Sequence, residues 1–138
     1  MLKMPDFEVG GPTLKPTCPF CQLANERKIV LENDEAFVIE DGFAVSLGHM
    51  LVIPKRHSEH YFKLLPSEKA AVWNLVDDAV ALARERYQPD GFNVGFNVMA
   101  AGGQTVFHTH VHIIPRYHGD VDLPAGGIRH VIPGKGSY

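Results

Sequence analysis

The sequence predicts a single α+β domain with a mostly antiparallel sheet. Short β-like segments follow one another along the chain, and one long amphipathic helix interrupts their succession. The chain has 138 residues, of which 45% are hydrophobic, which is enough for one buried core. Glycine and proline are frequent near both ends, so we expect an extended arm over residues 1–17, the domain over 18–116 and a tail over 117–138 that packs on it.

The helix is predicted over Ser67–Tyr87, because apolar residues recur there at spacings of three and four. Ser67 follows a proline and is a suitable N-cap, and Gln88–Gly91 ends the helix. The predicted strands are apolar or β-branched runs bounded by turn residues. These runs are Lys28–Leu31, Ala36–Glu40, His49–Ile53, Phe92–Val98 and Thr105–Ile114, with a weaker one at Ile128–Ile132.

Composition excludes several classes of function. The net charge of −3 and the absence of a basic stripe argue against a nucleic acid polymer as partner. No apolar run approaches the ~18–20 residues of a membrane span, and Met1–Lys15 lacks a signal-peptide pattern. We therefore expect a cytoplasmic protein whose two cysteines stay reduced.

Three histidines alternate at His108, His110 and His112. On a strand, side chains repeat every two residues, so the three rings would share one face while Val111 and Ile113 face the core. Three titratable rings suit a metal site or a reaction that moves protons and phosphoryl groups. The plain alternative is a polar strand face that happens to be histidine-rich, although such faces usually carry Thr, Lys or Glu.

The motif Cys18-Pro19-Phe20-Cys21 is compatible with redox activity, metal binding or chance. It lies in a loop-like stretch that no strand–helix unit of the thioredoxin type precedes. The residues alone leave these three interpretations open.

Three sequence blocks together resemble the histidine triad (HIT) family of nucleotide hydrolases and transferases. One is the triad followed by Ile113–Arg116, the second is Asp41 with Gly48–His57, and the third is Asn97 with Gly102–Val106. The resemblance covers roughly residues 18–116. It implies a five-stranded sheet with one long helix, a homodimer in which two sheets join into one of ten strands, and a nucleoside phosphate as substrate.

The resemblance also implies a role for each matching residue. His110 corresponds to a nucleophile that forms a nucleotidyl-histidine, His112 to the group that contacts the phosphate or assists the leaving group, and His49 to a fourth active-site histidine. Asp41 matches a position that binds ribose hydroxyls. The remaining substrate-binding candidates match positions that contact phosphate, and they are Asn97, Gly103, Gln104 and Thr105.

Some bacterial members of the family hold a zinc ion with two cysteines and two histidines. The matching positions here are Cys18, Cys21, His57 and His108. Two thiolates and two imidazoles form a closed tetrahedral site, which is typical of structural zinc. We therefore expect one structural zinc ion per chain and no organic cofactor.

Several functional alternatives remain. The Gly-Gln-Thr-Val segment before the triad and the Ile-Pro-Arg segment after it resemble the branch that hydrolyses dinucleoside polyphosphates, with nucleoside phosphoramidates as the other substrate class. His112 counts against the branch that transfers nucleotides to hexose phosphates, which has Gln there. A metal-dependent hydrolase that uses the three histidines as ligands, and a non-catalytic nucleotide-binding protein, are further alternatives.

Five other cationic or titratable residues receive no firm role. His60, His118 and His130 are expected to face solvent. Arg116 and Arg129 are weak candidates for a second phosphate or nucleoside contact.

Overall fold

The computed structural model describes residues 7–11, 13–15, 17–26 and 28–138, with the backbone alone at residues 23–26. Within these residues five strands form one antiparallel sheet in the order β1-β2-β3-β5-β4. The strands are β1 Leu31–Glu32, β2 Ala36–Glu40, β3 Met50–Pro54, β4 Gly91–Gly95 and β5 Val111–Arg116. The α-helices are α1 Pro19–Glu26 and α2 Pro66–Tyr87. Short 3₁₀ helices lie at Tyr61–Lys63, Ala100–Gly102 and Gly127–Val131.

The predicted α+β fold is confirmed, and its long helix is α2. The apolar stripe of α2 packs on one face of the sheet. That core comprises Ala36, Val38, Met50, Val52, Val72, Leu75, Val76, Ala79, Ala83, Val111 and Ile113, with Leu64 beside them. None of the helices in the described part of the chain has the length and apolar character needed to cross a bilayer.

The opposite face of the sheet carries a second, smaller core and the histidine side chains of the candidate site. Phe37, Ile39, Leu51 and Ile53 are buried there. Phe20 of α1 packs against this cluster, so α1 covers the face from which the histidines project.

The start of α2 differs from the prediction. The cap residue is Leu65, whose N–H donates to the carboxylate of Glu68 at 2.8 Å, so that carboxylate satisfies a donor at the helix N-terminus. The hydroxyl of Ser67 instead donates to Glu35. The prediction that Ser67 caps the helix is therefore wrong.

The region before the triad strand also differs. β5 begins at Val111, whereas the prediction began the strand at Thr105. Residues before Val111 pair with a loop rather than a strand, as the N–H of Thr109 donates to the carbonyl of Ser58 at 2.7 Å. Of the triad, only His112 is therefore a sheet residue.

Two further predictions of secondary structure are wrong. The Cys18–Cys21 motif is not in a loop, because Cys18 directly precedes α1 and Cys21 lies within it. The tail segment predicted as a strand at Ile128–Ile132 overlaps the 3₁₀ helix Gly127–Val131.

The remaining strand boundaries shift by a few residues. The run predicted at Lys28–Leu31 contributes only Leu31 to β1, and β4 ends at Gly95, which lies opposite His112. The expected arm includes residues 1–6, 12 and 16, which lie outside the described residues. In the described part of the arm, Gly10 and Thr13 form backbone hydrogen bonds with Lys63 and His57.

Candidate active site and metal centre

The three triad histidines serve two neighbouring sites. The rings of His110 and His112 lie together, with their centroids 5.2 Å apart. The ring of His108 is fully buried and faces the cysteines, and its centroid lies 5.1 Å from that of His57. The phenyl ring of Phe20 lies edge-on to both His108 and His110, with centroid distances of 6.0 and 5.0 Å.

Hydrogen bonds fix which nitrogen of each histidine carries the proton. Nε2 of His108 lies 2.8 Å from the carbonyl oxygen of Pro54. Nδ1 of His110 lies 2.8 Å from the carbonyl oxygen of His108. A carbonyl oxygen only accepts, so each of these nitrogens must donate a proton. His108 thus offers the lone pair of Nδ1 to the cysteines, and His110 keeps the lone pair of Nε2 free.

A different arrangement orients His112. The backbone N–H of Val45 donates to Nδ1 of His49 at 3.1 Å, so a neutral His49 carries its proton on Nε2. That Nε2 lies 2.9 Å from Nδ1 of His112 and 3.2 Å from Oδ2 of Asp41. Nδ1 of His112 therefore accepts, and its Nε2 carries a proton. The site combines a free imidazole lone pair on His110 with an N–H donor on His112.

The position of His49 depends on the residue before it. Gly48 has a φ of +88°, which disfavours other residues, and a Cβ there would lie 2.6 Å from the ring of Tyr87. A glycine at position 48 therefore allows the chain to pass close to Tyr87 as it enters β3, and this path places His49 next to His112.

Burial keeps the histidines of the site neutral. It lowers the pKa of His110, although the hydrogen bond to His108 opposes the shift. Burial, followed by the neighbouring His110 and His49, lowers the pKa of His112 to about 4. Burial likewise lowers the pKa of His49, against the opposing effect of Asp41. Neutral rings are what a nucleophilic imidazole requires near neutral pH.

These pKa shifts predict acid sensitivity. Burial also lowers the pKa of His108 to about 4, whereas 6.5 is the ordinary value for histidine. The unfolded chain therefore binds more protons than the folded protein at pH values between these two, and the free energy of unfolding falls as the pH is lowered from about 6.5 toward 4. Thermal unfolding of the chelator-treated protein at a series of pH values should show the melting temperature falling through this window. His112→Asn should flatten the slope and His118→Asn, on the surface, should not. A melting temperature that is constant from pH 6.5 to 5 would contradict the prediction.

A cavity of about 450 Å³ opens in front of His110 and His112. Its lining includes most of the residues that the sequence analysis assigned to substrate, namely Asp41, Asn97, Gly103, Thr105, His110 and His112. His49 lies behind them and lines an adjacent cavity with His112. Sequence reasoning missed Phe20 and Phe43, which also line the site. The available signal was their position, as each lies within two residues of a predicted site residue.

Gln104 does not face the cavity. Its side chain is buried, its carbonyl accepts from the N–H of Met99, and its amide donates to the carbonyls of Glu59 and Val106. Its backbone N–H donates to Met99. Within the described residues the donors of Gln104 are thus already used, which contradicts the expectation that its amide donates to phosphate. Gln104 instead holds the loop that presents Gly103 and Thr105.

Other assigned residues also have structural partners. Arg116 pairs with Asp120 and donates to Asn93, and Arg129 donates to the carbonyls of Gly136 and Lys135. His118 and His130 are exposed as expected. The expectation for His60 is wrong, because its ring is buried against Phe7 and accepts from the N–H of Phe62.

The four predicted zinc ligands come together beside this cavity. The candidate donor atoms of Cys18, Cys21, His57 and His108 all lie within 4.8 Å of one another. Sγ of Cys18 is 3.3 Å from Nδ1 of His108, and Sγ of Cys21 is 3.4 Å from Nδ1 of His57. These distances approach the S–N edge of about 3.6 Å in a tetrahedron around zinc. The backbone N–H of Lys15 donates to Sγ of Cys21, and the N–H of Cys21 donates to Sγ of Cys18. Burial nevertheless raises the pKa of the Cys21 thiol, against the opposing effect of the Lys15 hydrogen bond. The donor set therefore fits a closed zinc site.

Comparison of the sequence with known families gives a clear match. The sequence profile described as the HIT domain matches residues 22–119. A HIT-like protein of 16.1 kDa from Mycoplasma pneumoniae is 39% identical over 103 residues, which are 72% of each chain. An adenylylsulfatase, HINT3, from Arabidopsis thaliana is 37% identical over 83% of this chain, and an AP-4-A phosphorylase from Mycobacterium tuberculosis is 30% identical over 78%. The match spans only 60% and 58% of the length of these last two proteins.

Solved structures agree with the sequence match. A HIT family protein from Bacillus anthracis superposes with a TM-score of 0.72 at 33% identity, covering 76% of this chain and 77% of that one. A zinc-bound histidine triad family protein from Mycobacterium smegmatis superposes with a TM-score of 0.69 at 32% identity, covering 75% of this chain and 78% of that one.

Proposed function

The chain belongs to the HIT family of nucleotide hydrolases and transferases, and from that premise we propose that it hydrolyses a nucleoside phosphate derivative at the α-phosphate. The favoured substrate is a dinucleoside polyphosphate, and the reaction passes through a covalent nucleotidyl-His110. One observation carries the proposal: the hydrogen bond from Nδ1 of His110 to the carbonyl of His108 leaves the Nε2 lone pair free beside His112.

In the first step, Nε2 of His110 attacks the α-phosphorus, and the bond from that phosphorus to the leaving-group oxygen breaks. The Nε2 proton of His112 passes to the departing oxygen. The proton on Nδ1 of His110 stays on that nitrogen and remains hydrogen-bonded to the carbonyl of His108, which stabilises the positive charge that the ring acquires. In the second step, a water molecule donates a proton to Nε2 of His112, and the oxygen of that water attacks the α-phosphorus. The bond from phosphorus to Nε2 of His110 breaks, which releases the nucleoside monophosphate.

The cavity residues supply binding for the rest of the substrate. Oδ2 of Asp41 accepts from ribose hydroxyls, while Asn97, Thr105 and the backbone at Gly103 contact phosphate oxygens. The aromatic rings of Phe20 and Phe43 offer an apolar surface for the base. Gln104 contributes by holding the loop rather than by touching the substrate.

The zinc ion of the proposed site has a structural role. Cys18, Cys21, His57 and His108 would hold one ion per chain, and the zinc-bound relative from Mycobacterium smegmatis supports this assignment. Such an ion would tie α1 and the loop at His57 to the segment that leads into β5. No step of the reaction requires it as a reactant, because His110 is not among its ligands.

The experiment that tests the function is turnover of a substrate panel by the purified protein. The panel contains diadenosine and diguanosine polyphosphates, adenosine phosphoramidate and adenylyl sulfate, each with and without inorganic phosphate as a competing acceptor. The AP-4-A phosphorylase among the relatives supports polyphosphates as the best substrates. Preferential cleavage of the phosphoramidate would select the alternative class. Turnover that disappears with a chelator and requires added metal would favour the metal-dependent hydrolase. Binding of nucleotide without turnover would favour a non-catalytic nucleotide-binding protein.

We also propose that the protein acts in the reducing cytoplasm and that an arm and a tail flank a domain over residues 18–116. We further propose that the protein is a homodimer. The strand β4 lies at the edge of the sheet, where its outer backbone groups are available to pair with a second copy. Helix α2, which packs mainly over β2 and β3, has exposed residues such as Trp73. Light scattering at micromolar concentration should give about twice the chain mass of 15.3 kDa. A monomer would contradict the prediction, and Val94→Pro at the sheet edge should shift a dimer toward monomer.

A further inference from the structure

A second set of metal-ligating atoms lies behind the active-site cavity. Oδ2 of Asp41, Nε2 of His49 and Nδ1 of His112 form a triangle with sides of 2.9, 3.2 and 3.9 Å. The nearest point equidistant from the three atoms lies in their plane, about 2.0 Å from each, which is the length of a zinc–nitrogen or zinc–oxygen bond. We propose that these side chains bind one exchangeable divalent transition-metal ion, and that this ion and the nucleotide exclude each other.

The donor chemistry selects the class of ion. Two imidazoles and one carboxylate suit zinc or cobalt, whereas magnesium and calcium prefer oxygen ligands throughout. A three-ligand set leaves coordination positions open, and such a site exchanges its ion more readily than a closed four-ligand site. The site shares no residue with the cysteine cluster, so the two can be emptied separately.

The proton balance explains how an ion enters. In the metal-free protein, the Nε2 proton of His49 points between Asp41 and His112 and bridges the triangle. The ion takes the place of that proton, which moves to Nδ1 of the same ring. The N–H of Val45 then loses its acceptor, because Nδ1 of His49 has become a donor. The carboxylate of Asp41 supplies negative charge that partly balances the charge of the ion. Its other oxygen, Oδ1, still accepts a hydrogen bond from the N–H of Phe43.

Mutual exclusion with nucleotide follows from shared groups, and this part rests on the proposed function. Oδ2 of Asp41 cannot serve both the ion and the ribose hydroxyls. Adenosine monophosphate, the expected product, should therefore weaken binding of the ion, and the ion should weaken binding of the nucleotide by the same factor.

Cobalt titration of the full-length, metal-stripped chain tests the site directly. We expect two equivalents to bind. The first gives the intense near-ultraviolet absorption of cobalt–thiolate bonds, and the second adds only weak visible bands, since no thiolate is among its ligands. Hydrogen exchange at the Val45 amide should quicken with the second equivalent alone.

Variants assign each equivalent to its residues. Asp41→Asn and His49→Phe should each weaken the second equivalent by more than about 100-fold and leave the first unchanged. Cys18→Ser with Cys21→Ser should remove the first and leave the second. The matched control is Asp90→Asn, which removes the carboxylate of an exposed ion pair with His118, 3.7 Å long, and should retain both equivalents.

Each outcome separates the two proposals. Binding of only one equivalent by the wild-type chain, or survival of the second in a folded Asp41→Asn variant, would show that the triangle binds no metal ion. If the second equivalent binds but adenosine monophosphate leaves its affinity unchanged, mutual exclusion is wrong and the metal site stands. Failure of the substrate panel would overturn the proposed reaction without affecting the cobalt stoichiometry.

Discussion

His110→Ala should lower turnover of the preferred substrate by about 10³-fold or more, because the variant lacks the atom that bonds to phosphorus. The fold should persist, since the His110 ring is only partly buried and its hydrogen bond, within the described residues, runs to the carbonyl of the nearby His108. Initial rates measure the loss, and circular dichroism with thermal unfolding measures the fold. Mass spectrometry of the quenched wild-type enzyme should find the nucleotide adduct on His110.

His118→Ala is the matched control, because it removes an exposed imidazole that lies outside the cavity. Its rate should equal that of the wild-type enzyme. An adduct on His112, or an unchanged rate in a folded His110→Ala variant, would show that His110 is not the nucleophile.

The sequence was sufficient to predict the fold class and to predict that the residues of the candidate site lie close together. The spacing of Val72, Leu75, Val76 and Ala79 on α2 identified a core-facing helix because burial of a helical stripe is a local, periodic property. The blocks around Asp41, Asn97 and His110 indicated one nucleotide site, and the structure places all three on one cavity.

The division of labour within the triad could not be predicted from spacing. Alternation suggests one shared face, yet His108 turns to the cysteines while His110 and His112 face the cavity. The cause is tertiary: the carbonyl of Pro54, on a strand brought close only by folding, accepts a hydrogen bond from the Nε2–H of His108. Which nitrogen remains free is decided by a partner 54 residues away in sequence.

Gln104 and His60 show the same limit. A polar side chain beside a glycine turn resembles a ligand donor, but Gln104 spends its amide on backbone carbonyls of two separate segments. His60 has no sequence context that predicts burial, and it becomes buried because Phe7 of the N-terminal region packs against its ring. Both outcomes depend on contacts between segments that the sequence pattern does not relate.

His108 connects the metal centre with the catalytic residue. Its ring faces the cysteines, while its backbone carbonyl accepts the hydrogen bond from Nδ1–H of His110 that fixes the tautomer of that ring. Displacement of the ring would move that carbonyl and lower the fraction of His110 in the reactive tautomer. Loss of zinc should therefore affect the rate indirectly, through geometry, and the stability directly.

Cys18→Ser combined with Cys21→Ser should abolish zinc binding at the four-ligand site and lower the melting temperature by about 10 °C, equivalent to about 3 kcal/mol for a chain of this size. The loss is smaller than that of a zinc finger because α2 and the sheet retain their own core. Elemental analysis of the wild-type protein, after dialysis against a weak chelator, should give about one zinc ion per chain, held by four ligands. Differential scanning calorimetry measures the stability of both proteins.

The same variant distinguishes structural zinc from catalytic zinc. Because His110, His112 and the cavity residues remain, the folded double variant should keep measurable hydrolysis at a reduced rate. Wild-type protein stripped by a strong chelator and then given zinc is the control, and its melting temperature should recover along with its rate. A double variant that is folded but inactive, together with stripped wild-type protein that is folded, inactive and restored by zinc at an unchanged melting temperature, would place the ion in the reaction itself.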